Sequence, residues 1–377
     1  MAIEDKSNAE LAELAAGLLS KLVAVGGEIL SRLEYVDFED DEPDDEIDYA
    51  PPTETLEAES YQPGWGDVVF HKRGAGTEFV LSDKHVVCGA RSGIIIEDQL
   101  PHTVQVDITN VHLTQGPVTV GWGICGNYIS GAIEHVSAEG LGLQEQGNER
   151  RDGHAIYAKL GGDLYIGNYT AIRCAGQALQ LVTRPHEGPV PHKLVVTLDD
   201  IWAADCSQQA TGHGGGGSAM LALYCASTGG THISAGKITL IGDLGQPGDP
   251  KEAPATRGGI QLWADGHDPR NAWFERFTCT HLNIQMEKGD RHPLDFKDTR
   301  HVKLPKVTGF VERAHNMVNG LPVLISMTRT YGEGSLFIGS TTFPFVVKID
   351  GTYTAFRPQD EALDLSWSGP NADIIQS

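Results

Sequence analysis

Four aspartates, Asp152, Asp265, Asp268 and Asp295, sit beside short apolar runs in this chain. A pair of carboxylates is what hydrolysis of a glycosidic bond uses: one protonates the leaving oxygen, and the other acts as base or nucleophile. Asp265, Asp268 and Asp295 are the candidate catalytic groups. The first two belong to the densest polar cluster next to an apolar run, Trp263-Ala264-Asp265-Gly266-His267-Asp268. Trp263, Trp273 and Phe274 offer flat apolar faces on which sugar rings stack. A lyase would instead need a base such as His or Lys beside an arginine. The separation of the carboxylates depends on which residues the fold stacks together, so spacing along the chain does not choose between these chemistries.

A second constellation lies in the segments ERRDGH (149–154), ATGHGGGG (210–217), ATRGG (255–259), GDRHP (289–293) and MVNG (317–320), each just ahead of a short apolar run. If those runs stack in successive coils, Arg151, Asp152, His154, His213, Arg257, Arg291 and His292 fall in one column. At about 4.8 Å per coil the column would be about 20 Å long. Together with Trp263 and His267 it suits a linear, acidic or hydroxyl-rich polymer, because the arginine fork donates two parallel bonds to carboxylate, phosphate or sulfate. Ordinary solvated turns have the same composition. There is no HExxH, no zinc-type cysteine pair and no P-loop in the sequence, so neither a metal nor a cofactor is expected.

These residues need elements to hold them, and from about residue 65 onward the apolar pattern has period two. Val106, Ile108, Asn110, Val111 and Leu113 give a template in which alternate residues point inward and Asn110 marks a bend. It returns at Gly131, Leu164, Val196 and Val302, with weaker copies near Ile238 and Leu282. A second short run follows each copy: PVTV (117–120), AIYA, ALQLV, AMLALY, GIQLW, PLDF and PVLIS (322–326). Repeats of this length, built from short strands with no helix, are the signature of a solenoid whose strands pair in parallel with the next coil. The 45 glycines fit a turn-rich β protein. A β-sandwich would show regular hairpins, yet Asn-Gly occurs only at Asn319-Gly320. The expectation is an all-β, right-handed parallel β-helix of about ten coils over 61–330. Residues 331–377, with TTFPFVVKIDGTYTAF, form a β cap or an oligomer contact.

Residues 1–36 read differently. Ser7 and Glu10 fit a capping box, and Leu11, Ala15, Leu18, Leu22, Val25 and Ile29 alternate spacings of four and three. This is the seam of a separate amphipathic α-helix, suited to oligomerisation or docking. Residues 37–60 carry nine acidic groups between Asp37 and Asp48, with Pro43, Pro51 and Pro52, and so predict an extended acidic linker. Residues 1–60 hold 18 acidic and 3 basic residues, a balance of −15 out of a net −23. Such charge argues against nucleic-acid binding, which needs clustered Lys and Arg. No apolar run is long enough to insert in a membrane, and no signal peptide is visible. The six cysteines are expected to be buried thiols rather than bridges.

The segments VDITNVHL, LYIGNYTAI, LVVTLDDIWAA and VKLPKVTGFV resemble the pectate-lyase-like right-handed β-helix superfamily, over about residues 86–326. The superfamily includes polysaccharide lyases, glycosidases and bacteriophage tailspikes. Anchor, tether and β-helix in that order are similar to phage tailspikes and head fibres. The resemblance implies a virion spike or fibre that binds host surface polysaccharide, is homotrimeric and meets other virion proteins through residues 1–36. The alternatives are a non-enzymatic head or tail decoration protein and a stand-alone lyase or glycosidase. On this reading light scattering should give the mass of a trimer for the full chain, weakened when residues 1–60 are removed. A monomer in both forms would overturn the trimer.

Overall fold

The computed structural model describes residues 52, 54–57, 67–72, 74–89, 91–97, 103–117, 122–142, 153–183, 192–207, 219–225, 227–242, 258–264, 271–286, 293–312, 317–330, 332–368 and 375–376. All lie in the unit Pro51–Ser377. Among them there is no helix, and the strands join in one mostly parallel sheet wound as a solenoid. The expected helix of residues 1–36, with its seam of Leu11, Ala15, Leu18, Leu22, Val25 and Ile29, lies outside the described residues.

Two ladders run along the solenoid. The long ladder takes Glu54–Glu57, Glu78–Cys88, Val104–Gln115, the second parts of Trp122–Glu139 and His154–Ile172, Leu194–Ala204, Thr231–Gly242, Phe274–Met286, Thr299–Val311 and Gly334–Thr341. The short ladder takes Asp67–His71, Ser92–Ile96, the first parts of Trp122–Glu139 and His154–Ile172, Leu179–Val182, Leu221–Tyr224, Ile260–Leu262, Leu294–Lys297, Leu321–Thr328 and Phe345–Ile349. Every strand within a ladder pairs in parallel with the next, and the long connections leave and enter at the ends of the short ladder.

The register matches the period-two template. Ile108, Ile133, Ile166 and Leu198 stand one above another, and Ile201, Ile238, Leu282 and Val307 form a second column. All eight are fully buried in one continuous core. The weaker copies are in phase with the others, but they begin at Ile233 and Phe277, five residues ahead of Ile238 and Leu282. Phe277, Ala235 and Cys279 stand in these coils where most others carry a branched aliphatic residue, which blurs the pattern. In the first copy the short-ladder run is Trp122–Gly126 rather than PVTV, most of which lies outside the described residues.

The bend seen at Asn110 is a backbone conformation. Asp83, Asn110, His135, Asn168 and Asp200 hold the same place in successive coils, with φ of 56, 54, 51, 48 and 46°. Left-handed backbone crowds the β-carbon against the next carbonyl, and Asn and Asp tolerate it best. The side chains also bridge the coils: the Asn110 amide donates to Asp83 Oδ1 at 2.8 Å. From the next coil onward the place passes to Lys237, His281 and Lys306, and none of these is left-handed.

Both ends differ from the boundaries read in the sequence. Glu54–Glu57, within the stretch read as linker, pairs with Lys84–Val87; its acidic side chains are exposed while Leu56 packs on the core. The parallel ladders also run beyond 330, through Gly334–Thr341 and Phe345–Ile349. Leu363–Trp367 then covers the first of these and Thr352–Phe356 the second, both antiparallel. The hairpin at the second cover turns on Asp350-Gly351, left-handed at φ 40 and 96°. Asn319-Gly320 makes a smaller hairpin between Met317–Val318 and Leu321–Pro322. The six cysteines are buried and form no disulfide, and burial pushes the Cys225 and Cys279 thiols up to about 12.

Replacing Asn110 with valine should cost about 1–2 kcal/mol for the left-handed backbone alone. Asn110→Gly should cost less. Urea unfolding of both variants checks this, and equal losses would remove the conformational explanation.

Candidate functional site

The short ladder has an inner and an outer face. Ile156, Leu179, Leu221, Ile260, Leu294 and Ile325 stack inward. The residues that follow them stack outward as Tyr157, Gln180, Ala222, Gln261, Asp295 and Ser326. Val182, Ala222 and Tyr224 make a small apolar cluster apart from the main core, with Tyr157 and Trp263 packed on it.

A network of polar and aromatic side chains crosses three coils of this outer face. The Tyr224 hydroxyl donates to Gln261 Oε1 at 2.5 Å, and the Gln261 amide donates to Asp295 Oδ2 at 3.1 Å. Lys297 Nζ lies 3.9 Å from the same carboxylate oxygen and 4.5 Å from the centre of the Trp263 ring. Tyr224 meets Trp263 edge-on, with ring centres 5.9 Å apart. Gln261 and Tyr224 are only 2% and 4% exposed, while Trp263, Asp295 and Lys297 are half-buried. A carboxylate held by an amide and an ammonium is positioned to accept hydrogen bonds from hydroxyls.

Three residues singled out in the sequence lie on or next to strands of this ladder: His154, Trp263 and Asp295. Trp263 and Asp295 share the network through Gln261 and Lys297. His154 lies at the start of its strand, is buried, and accepts the Gln177 backbone N–H on Nδ1 at 3.0 Å. Its ring stacks on Tyr157 at 6.0 Å. His154 therefore has a structural task of its own. Arg151, Asp152, His213, Arg257, Asp265, His267, Asp268, Arg291 and His292 lie outside the described residues, on segments that run directly into or out of short-ladder strands.

Tyr224, Gln261 and Lys297 were missed in the sequence. Their signal is register: Gln261 and Asp295 hold equivalent places in GIQLW and PLDF, and Lys297 is two residues past Asp295. The same holds for a second cluster, where the chain passes from the short ladder to the long one. The Trp273 indole donates to Glu275 Oε2 at 2.5 Å, Arg300 donates to that oxygen at 3.2 Å, and the guanidinium lies 4.2 Å from the centre of the Trp273 ring. Burial works against the Glu275 charge, but the Trp273 N–H and Arg300 hold its carboxyl below the usual range. Trp273, read as a surface for sugar stacking, is thus engaged by the next coil's arginine.

Asp298 anchors the turn after Lys297. It is left-handed at φ 57°, its side chain is fully buried, and Oδ2 accepts both the Ala264 backbone N–H at 3.1 Å and Arg329. Burial raises its carboxyl above the usual range, outweighing the pull of Arg329. The turn thereby ties the segment after Ile260–Leu262, which carries Trp263, to the next coil. Elsewhere, a shallow groove of about 580 Å³ crosses the outer long ladder, lined by Thr103, Gln105, Ser130, Gly161, Gly162 and Tyr165 among others. It contains none of the candidate catalytic or glycan-binding residues read from the sequence.

Asp298→Ala should cost about 2–4 kcal/mol, from a buried N–H losing its acceptor and alanine being forced into a left-handed turn. Asp298→Asn should cost clearly less, because asparagine keeps both an acceptor and the turn conformation. Chemical denaturation distinguishes the two, and a loss under about 1 kcal/mol in the alanine variant would contradict the anchoring role.

Compared with models of protein families, with curated proteins and with solved structures, the chain finds no match.

Proposed function

We propose that the protein binds an extended glycan along the outer face of the short ladder, as a bacteriophage virion spike or fibre holding host surface polysaccharide. The single observation that carries this reading is the row from Tyr157 through Gln261 to Asp295, with Tyr224, Trp263 and Lys297 beside it. It joins aromatic faces, an amide, a carboxylate and an ammonium on a rigid ladder. Sugar recognition uses this mixture: apolar ring faces, with a few well-placed polar groups that fix orientation. A row with one step per coil also suits a polymer with a short repeat. Loops placed by a rigid scaffold are common carriers of binding residues. Here the segments with Arg257, Arg291, Asp265 and His267 attach at the ends of this ladder.

The finer architecture belongs to the same reading. Parallel strands joined by crossovers are almost always right-handed, so the solenoid is taken as a right-handed β-helix. Residues 1–36 serve as the helical anchor to other virion proteins, 37–60 as the tether, and three copies assemble. Binding without cleavage is the simpler chemistry, since Asp295 is engaged by Gln261 and Lys297. One observation favours a purely structural decoration protein: Trp263 is flanked by Tyr224 and Lys297, so the network stabilises the wall by itself.

The test is binding of the full chain to a panel of bacterial surface polysaccharides. Tyr157→Ala with Lys297→Ala, and separately Arg257→Ala with Arg291→Ala, should each weaken binding about tenfold or more, with circular dichroism showing that the fold is kept. Unchanged affinity in both variants would overturn glycan binding on this face. Shortening of the polysaccharide by the wild type, abolished in Asp295→Asn or Asp265→Asn, would convert the binding reading into an enzymatic one.

A further inference from the structure

The outer surface of the long ladder changes sign along the solenoid. In the earlier coils its outward charges include Glu78, Asp107, Glu134, Asp163, Asp199 and Asp200. From Thr231–Gly242 onward basic residues prevail, with Glu275 among them and Asp364 on the covering strand opposite Phe337. Register places Lys237, His281 and Lys306 side by side on three neighbouring strands. His232, Arg276 and His301 stand side by side on the same strands, five residues earlier, and Lys303 lies between the rows. Lys237, Arg276, Lys303 and Lys306 are exposed, and among the described residues none of them is within ion-pair distance of a carboxylate. Of the nearby acids, Glu275 is committed to Trp273 and Arg300, and Asp200 stands at the boundary next to Lys237.

Register sets Lys237 and Lys306 on either side of His281, and Arg276 between His232 and His301, so cations crowd on this face without standing directly opposite one another. Their repulsion reaches the histidines: burial, then Lys306 and Lys237, hold the His281 ring below its ordinary value. Burial, then Lys193 and Arg276, do the same to His232. Between the basic rows the surface carries hydroxyls, Ser234 and Thr278, rather than apolar groups.

The size of the patch selects the partner. Five residues along a strand span about 16 Å, and three strands span about 10 Å across. That is about 160 Å², against about 800 Å² on each side of a stable protein interface. Protein interfaces also have apolar and aromatic centres, whereas the middle of this patch is Ser234 and Thr278, with Phe337 at its edge opposite Lys303.

We propose that this basic patch binds an anionic saccharide unit bearing carboxylate or sulfate groups, with Arg276, Lys303 and Lys306 as its main cations. It is a different surface from the short-ladder row and does not depend on it.

The test is calorimetric titration of the full chain with dextran sulfate and with its neutral parent dextran, at low and at high salt. Dextran sulfate should bind at low salt, weaken as salt rises, and lose about tenfold or more in affinity in the Lys303→Glu, Lys306→Glu double variant. Neutral dextran should not bind through the patch. Lys72→Glu, the same substitution at one exposed residue outside the patch, should leave the affinity unchanged. If the double variant fails to fold, Arg276→Gln serves as the milder probe. The proposal is overturned if the patch variants bind like the wild type, or if Lys72→Glu weakens binding as much as they do. It is equally overturned if double-stranded DNA binds while the sulfated glycan does not, or if the patch variants change the mass of the protein in solution.

Discussion

The structure depends on main-chain pairing between successive coils. A strand in either ladder has its partners in the coils before and after it, so the backbone donors and acceptors are satisfied along the solenoid axis. Side chains must then stand in columns, because each strand copies the register of its neighbour. Insertions are confined to the connections at the ends of the short ladder. The last coil would leave an open edge, a template for unwanted pairing. Here Leu363–Trp367 and Thr352–Phe356 turn antiparallel and cover both ladders.

Column formation treats each kind of side chain differently. Inside, stacked Ile, Val and Leu such as Ile108, Ile133 and Ile166 leave water entirely. Each such burial is worth about 1.5–3 kcal/mol, set against the entropy of ordering the coil. At the bend, the column selects residues that accept left-handed backbone, and Asn110 and Asp83 gain a bridging hydrogen bond from being stacked. Outside, a column brings polar groups within reach of one another without any closeness in sequence. That is how Tyr224, Gln261 and Asp295 become a chain of hydrogen bonds. It is also how Lys237 and Lys306 come to flank His281.

The distribution of charge follows from the same geometry. Most of the net negative charge belongs to the first 60 residues, which leaves the solenoid close enough to neutral for local patches to matter. On the short ladder, opposite charges and an amide neutralise one another, and Lys297 shields Asp295. On the later long ladder, Lys237 and Lys306 flank His281, and Arg276 lies between His232 and His301. The two outer faces therefore differ in chemistry although one repeating backbone builds both.

The sequence by itself determined the coil. Alternation at Val106, Ile108, Val111 and Leu113, with its returns at 131, 164, 196 and 302, states which residues face inward and where the bend falls, because a strand has a side-chain period of two. The short runs AIYA, ALQLV, AMLALY, GIQLW, PLDF and PVLIS were legible for the same reason, as were the buried thiols. What only the tertiary structure decided is which side chains meet. Trp263 and Asp295 were legible as polar and aromatic candidates, but their connection through Gln261 and Lys297 depends on a register between strands about thirty residues apart. His154 read as a polymer-binding candidate, and only the fold shows that its Nδ1 accepts the Gln177 backbone N–H. The basic patch was invisible because its partners on neighbouring strands are 25 to 44 residues apart and surrounded by ordinary strand sequence. Period and polarity are local properties of a chain, whereas the contacts of an outer column are made by the stacking of coils.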